Sequence, residues 1–343
     1  MIQSVRLDDP NTSGMDWISV FSQNEEEQRT LAHPFSFARA HFVAQKEGCT
    51  VGRISANRSP SQPKRGYFGF FDVDPDLGKE TSLCAALLLE YAESWLRAQG
   101  VEQVFGPVNY STLFDYRVRL DSDLEARESP RFSWEPNQPE SQLQWLHESG
   151  YQLHEEYRST AFRDSGLVLP VSENRYREAM DSGFTVRPIR QDKEKSGILE
   201  SDLRALFKIN SKSFQESFLS EPFDLKAYQQ LNIPRYEKLL SDLSFFIVSP
   251  GGEEIGYFFL FVDQGYLVWK TLAILPEYQK AGLAGFGIHY AIQTANARGI
   301  SKVVTALIRK GAPSESLLEK AAPLRLWTHR YGVFNKSLLP SSL

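Results

Sequence analysis

The feature that most constrains this chain is that it repeats itself once, over the length of a domain. Arg65-Gly66-Tyr67-Phe68-Gly69-Phe70-Phe71-Asp72-Val73 in the first half answers Gln264-Gly265-Tyr266-Leu267-Val268-Trp269-Lys270-Thr271-Leu272 in the second. In the same register Ala92 falls opposite Ala291. Ala98-Gln99-Gly100-Val101 falls opposite Ala297-Arg298-Gly299-Ile300, and Val104 opposite Val303. Upstream, after a loop of different length, Thr50-Val51-Gly52 resembles Glu254-Ile255-Gly256. A repeat of this span is a whole domain, not a solenoid unit, and 343 residues are enough for two.

Each copy reads as the same series of elements. A strand (41–45; 245–249) meets a turn, which in the second copy is the strong signal Pro250-Gly251-Gly252. A second strand follows, then the Gly-Tyr strand, then one long helix. Over 81–99 the apolar positions Cys84, Leu87, Leu88, Tyr91, Ala92 and Trp95 share a face. Over 283–298 Ile288, Ile292 and Ala295 do so. Gly100 and Gly299 stand where a left-handed residue ends a helix. Buried strands follow at 101–105 and 302–308. Antiparallel strands followed by strand–helix–strand predict a mixed α/β sheet in each copy. The expected division is 1–165, a linker at 166–183 containing a short polar helix over 172–182, and 184–343, whose first strand is 184–189. The stretch 126–140, rich in Pro, Ser and charge, reads as an exposed loop.

Hydrophobic residues make up 41% and charged residues 24%, which supports full cores. The formal net charge of -5 argues against a protein built to neutralise a phosphate backbone, and nucleic acid is not an expected partner. The aromatic residues are spread through expected strands and helices, not gathered beside basic ones. Cys49 and Cys84 are too few for a secreted disulfide framework, and both are expected reduced. The first residues lack the apolar core of a signal peptide. No apolar run approaches the roughly 18 residues of a membrane span. The expected location is the cytoplasm, with no membrane partner. No zinc-like spacing, Walker loop or Gly-x-Ser-x-Gly elbow is present, and no metal is expected.

The chemistry concentrates in Trp269-Lys270-Thr271-Leu272-Ala273-Ile274-Leu275-Pro276-Glu277-Tyr278-Gln279-Lys280-Ala281-Gly282-Leu283-Ala284-Gly285. A strand ends, a proline-marked loop turns, and two glycines open a helix. Glycine lets a ligand approach the backbone. The first amides of a helix have no internal partner and carry partial positive charge. Together these make a phosphate site, to which Gln279 and Lys280 can add hydrogen bonds or charge.

Gln279-Lys280-Ala281-Gly282-Leu283-Ala284, with its Pro276-Glu277-Tyr278 lead-in, resembles the acyl-coenzyme A loop of the GNAT acyltransferase superfamily. Gly106-Pro107-Val108-Asn109 in the first copy resembles a subgroup of bacterial tandem GNAT-like proteins whose N-terminal half is degenerate. The resemblance implies two tandem GNAT-like folds, an α+β mixed sheet in each. It implies that the loop Gln279, Lys280, Ala281, Gly282, Leu283, Ala284 and Gly285 binds the diphosphate of acetyl-CoA or another acyl-CoA. It implies that the backbone of Leu272, Ala273 and Ile274 pairs with the pantetheine arm and polarises the thioester carbonyl. An amine, of a small molecule or a peptide, then attacks the thioester.

The first copy departs from this pattern. Leu83 stands where Gly282 stands in the second, and Glu80 where Gln279 stands. Asp74, Asp76 and Glu80 would repel a diphosphate, so this copy is expected to bind coenzyme A poorly. Asn109, Tyr110 and Ser111 either meet the acceptor or form a capped turn. In the family a tyrosine after the fifth strand protonates the leaving thiolate. That slot holds Leu318 here, and Tyr331 is the best remaining candidate for the acid. His329 beside it is expected at the surface or in a strand. A base is sought among Glu216, Glu221 and Asp224, or a bound water. The expected function is N-acyl transfer from coenzyme A, with a group other than aminoacyl. The alternatives are a non-catalytic acyl-CoA-binding protein and an aminoacyl-tRNA-dependent transferase, the latter disfavoured by the acidic balance. A homodimer is compatible with the sequence, which does not fix the oligomeric state.

Overall fold

Both copies of the repeat form in the computed structural model, which describes residues 2–7, 25–121, 129–136, 138–192, 197–312, 315 and 321–339. In the first copy β1 (Ile2–Leu7), β2 (Arg39–Lys46), β3 (Cys49–Arg58) and β4 (Arg65–Val73) pair antiparallel in series. The helix Thr81–Ala98 then carries the chain to β5 (Gln103–Gly106), parallel to β4. The two-residue β6 (Val118–Arg119), the helix Ser141–Glu148 and β7 (Gln152–Phe162) complete this copy.

The helix Leu169–Asp181 links it to the second copy. There β8 (Thr185–Pro188) is followed by the small hairpin β9 (Gln191–Asp192) and β10 (Gly197–Ile198), and by the helix Glu200–Ser213. Then β11 (Phe245–Val248), β12 (Glu254–Asp263) and β13 (Tyr266–Ile274) pair in antiparallel series. The helix Leu283–Asn296 leads to β14 (Lys302–Arg309), parallel to β13, and the chain closes on β15 (Arg325–Ser337).

The halves are joined through their last strands. The strand order is β1-β2-β3-β4-β5-β15-β7-β14-β13-β12-β11-β8, with β6 on β15. Thus β7, the end of the first copy, bonds β14 of the second, and β15, the end of the second, bonds β5 of the first. Between them β7 and β15 pair along nearly their whole length, from Phe162↔Arg325 to Gln152↔Asn335. Each half has its ladder completed by the other, and one sheet runs through both.

The helices follow the sequence pattern with one adjustment. Gly100 and Gly299 take φ of 77° and 75° just beyond the two long helices. The first of these buries Cys84, Ala85, Leu88, Leu89, Ala92 and Leu96. The face is therefore turned from the one expected, and Tyr91 is exposed. The second buries Leu283, Phe286, Ile292 and Ala295. Both cysteines are free, Cys49 exposed and Cys84 buried. Burial pushes the Cys84 thiol up to about 12. The stretch 126–140 is not simply an exposed loop. Of its described residues, Phe132 and Glu135 are buried. Phe132 meets Phe261 and Trp134 meets Phe259, so this segment of the first copy packs on β12 of the second. Among the described residues, no helix is long and apolar enough to cross a membrane.

Candidate active site

In the second copy the parallel pair comes apart. β13 bonds β14 only from Tyr266↔Lys302 to Trp269↔Thr305, yet the strands run on to Ile274 and Arg309. Lys270 is the extra residue of a bulge in β13, opposite the step from Phe259 to Leu260 of β12, and it bends β13 where the separation begins. From Lys270 onward one edge of β13 has no β14 partner. A cleft of about 540 Å³ opens there. It is lined by 269–272, by 305–309, by 111–117 of the first copy, and by several residues of 214–223.

At the end of β13 the backbone is anchored. The Ile274 carbonyl accepts from Ser213 Oγ and from Gln279 Nε2, both at 3.0 Å. Gln279 therefore folds back on the strand that precedes the loop. Leu272 lines the cleft, whereas Ala273 and Ile274 are buried and are not among its lining residues. Pro276–Ala281 forms one tight turn, and Gly282 takes φ of 74°, a conformation that disfavours any side chain. The helix begins at Leu283, whose side chain is wholly buried and roots the turn in the core. The amides of Leu283 and Ala284 head the helix without intrahelical acceptors. Lys280 and Ala281 are exposed.

One residue beside this turn had no local signal in the sequence. Arg175, on the linking helix, lies over both glycines. A Cβ at Gly282 would stand 3.4 Å from Arg175 Nη1, and one at Gly285 would stand 3.5 Å from Arg175 Cβ. Tyr176 stacks on Phe286 and His289 with centroids 5.4 and 4.4 Å apart, and Ser172 Oγ lies 3.0 Å from His289 Nδ1. These contacts hold the linking helix against the loop helix. Among the described residues Arg175 forms one ion pair, an exposed one with Glu178 at 3.5 Å, a weak restraint.

The first copy has the same divergence and fills it. β4 bonds β5 only from Arg65↔Gln103 to Tyr67↔Phe105. Beyond that, Val108 N donates to the Phe68 carbonyl at 2.7 Å, and Phe70 N donates to Asn109 Oδ1 at 2.7 Å. A Cβ at Gly69 would fall 2.3 Å from the Val108 carbonyl oxygen. Asn109 is thus a plug bonded to β4, not an acceptor-binding residue. Tyr110 does not meet the cleft either. It is buried, with its hydroxyl 3.3 Å from His41 Nε2 and its carbonyl accepting from Asn57. Only Ser111 of the three lines the cleft.

The candidate acid and bases separate in the same way. Tyr331 is fully buried on β15, between Arg119 of β6 and Tyr157 of β7, and is not among the cleft-lining residues. Burial, then the nearby charge of Glu135, pushes its phenol far up. A hydroxyl sealed in the sheet does not reach a thiolate in the cleft, so Tyr331 is not the acid. Of the two places expected for His329, surface or strand, it takes the strand, on β15. It is fully buried with Nδ1 3.2 Å from both Glu135 oxygens. Leu318 lies outside the described residues. Glu216 is exposed, and Asp224 Oδ1 accepts from Ala227 N at 2.7 Å, capping a helical turn. Glu221 is buried and lines the cleft. Its carboxylate accepts from Ser59 Oγ, from the Tyr67 hydroxyl at 2.6 Å and from Ser61 N at 3.2 Å. Burial first, and then the Glu221 charge, pushes the Tyr67 phenol well up, which keeps it a donor.

The site is thus a parallel pair that splays beside a glycine-headed helix, in a doubled mixed sheet, and known proteins share this arrangement. Residues 203–322 match the acetyltransferase (GNAT) family. The chain is similar to a tandem GNAT protein from the clavulanic acid biosynthesis pathway, with 12% identity, all of both chains covered and a TM-score of 0.55. It is similar to a probable N-acyltransferase from Enterococcus faecalis V583, with 10% identity, 98% of this chain and 73% of that one covered, and a TM-score of 0.57. A glucosamine N-acetyltransferase region of a fungal multi-domain β-N-acetylglucosaminidase gives 16% identity and a TM-score of 0.55, over 97% of this chain and 38% of that one. At such identities these structures speak to the fold. No curated protein matches the sequence. Residues 203–322 are a GNAT acetyltransferase domain, and the chain as a whole has the tandem GNAT fold.

Proposed function

We propose that this chain is an N-acyltransferase that takes its acyl group from acyl-coenzyme A, binds it in the second copy alone, and delivers it to an amine in the shared cleft. Acyl transfer from coenzyme A is the chemistry of the family matched by residues 203–322. The observation that carries the reading is the open edge of β13 running into the turn at Gly282. Bound there, acyl-coenzyme A supplies an activated thioester. The amides of Leu283 and Ala284, with the Arg175 guanidinium over the turn, suit a diphosphate. The edge of β13 over Thr271 and Leu272, beyond its ladder with β14, suits an extended amide-bearing arm, by the same pairing that would add a strand.

In the cleft Glu221 is the titratable group best placed to take a proton from an attacking amine. It is buried, faces the cavity and is held by three donors. The net charge of -5 favours coenzyme A over an aminoacyl-tRNA as donor.

A screen of thiol release from acetyl-CoA and longer acyl-CoAs against an amine library tests the proposal, with Gly282→Glu as control. Amine-dependent release that disappears in Gly282→Glu supports it. Coenzyme A binding with no release by any amine would make the chain a binding protein instead.

A further inference from the structure

Arg117 is a buried cation in the cleft that no carboxylate of the described chain neutralises. The residue is 8% exposed, and it lines the cavity. Its guanidinium carbon lies 3.5 Å from the Tyr116 ring centre and 4.1 Å from that of Tyr157. One terminal nitrogen donates to the Tyr116 hydroxyl, while Nε is buried with no hydrogen-bond partner.

Among the described residues, the other strongly buried arginine is treated differently. Arg53, at 2% exposure, meets Glu27 at 2.7 Å and Asp72 at 2.6 Å. The buried guanidinium of Arg53 is thus matched by two carboxylates. Arginine does not escape the cost of burial by losing its proton, and a desolvated charge left unpaired is expensive. The two tyrosine faces offset part of that cost. Backbone strain adds to it, because Arg117 is held at φ of 89° without being glycine. Strain and an unmatched charge at one cavity-facing residue are what a pre-formed anion site requires.

Resting on the acyltransferase reading above, we infer that the substrate seated in this cleft carries a carboxylate, paired with Arg117. The planar guanidinium fork suits a carboxylate. Glu221, across the same cavity lining, offers the complementary charge for an ammonium group. The carboxylate belongs either to the acceptor, which is then an amino acid or a similar amino carboxylate, or to the acyl group, which is then a dicarboxylic one. The two sources share one chemistry and are separable by experiment.

The test uses matched pairs that differ only in that charge. In the acceptor arm, binding of glycine, β-alanine and phenylalanine to the full chain is measured by calorimetry against their carboxamides. In the donor arm, succinyl-CoA is compared with butyryl-CoA. A pair member with the carboxylate is expected to bind roughly 10-fold to 100-fold more tightly, the worth of a charge-assisted hydrogen bond. Arg117→Gln is expected to erase that difference, and Arg117→Lys to keep part of it. The arm in which the preference occurs names the source. Indifference to the carboxylate in every pair overturns the inference. So does a preference that survives in a folded Arg117→Gln protein. Should that variant not fold, the wild-type pairs still decide. The acceptor arm needs no coenzyme A, so a failure to bind coenzyme A would strike the proposed function and leave this test standing.

Discussion

In both halves a bulged strand diverges from its parallel neighbour, but one gap is filled by the chain itself and the other is open. In the first half Val108 and Asn109 take up the free edge of β4. In the second, Trp269, which the repeat aligns with Phe70, faces a cavity. The loops entering the two long helices also differ. Gly282 is left-handed and sits under Arg175, whereas the aligned Leu83 is 63% exposed within the helix Thr81–Ala98. Electrostatic repulsion is a weaker distinction than the sequence suggests, because Glu80 is paired with Lys46 at 2.5 Å. The difference that matters is steric. One strand edge already has a hydrogen-bonding partner within the same molecule.

The comparison can be broken most sharply at the second-half turn. Gly282→Glu is expected to weaken coenzyme A binding by more than about 100-fold, through like charge and bulk at the diphosphate. Leu83→Glu at the aligned position is expected to leave binding unchanged. Gly282→Ala carries the same left-handed strain, about 1 kcal/mol, without the charge. If it binds as weakly as Gly282→Glu, distortion of the turn and not repulsion is responsible.

At the plug the expected effects are on stability. Gly69→Ala forces a Cβ to 2.3 Å from a main-chain oxygen that cannot move aside cheaply. It should cost about 2 kcal/mol in urea denaturation. Asn109→Ala strands the Phe70 amide, in a residue only 3% exposed, and should cost about 1.5 kcal/mol. Neither variant should alter coenzyme A affinity. A neutral Asn109→Ala would mean that water or a neighbour satisfies the strand edge, and that the first-half gap is less firmly closed.

Much of the architecture was legible because its signals are local. Strand alternation, helical spacing, the glycines at 100 and 299 and the Pro-to-Gly turn before Leu283 depend on neighbours in sequence. The exchange of β7 and β15 was not legible, since pairing partners more than 140 residues apart leave no local mark. Asn109 carries a turn signature whether it meets a ligand or caps its own fold, and only the 2.7 Å contact to Phe70 separates the two. The place of Tyr331 in the chain suits an acid, but β6 and β7 seal it within the sheet. Arg117 and Arg175 belong to segments whose relevance appears only when the halves are joined. The cleft is built from both copies, so its charges could not be read from either.

The account turns on one gap being open and the other closed, and titration calorimetry of the full wild-type chain with coenzyme A tests this most directly. The expected result is saturation at one equivalent per chain, with Gly282→Glu showing no measurable heat. Two equivalents, or one equivalent that Gly282→Glu leaves intact, would contradict it.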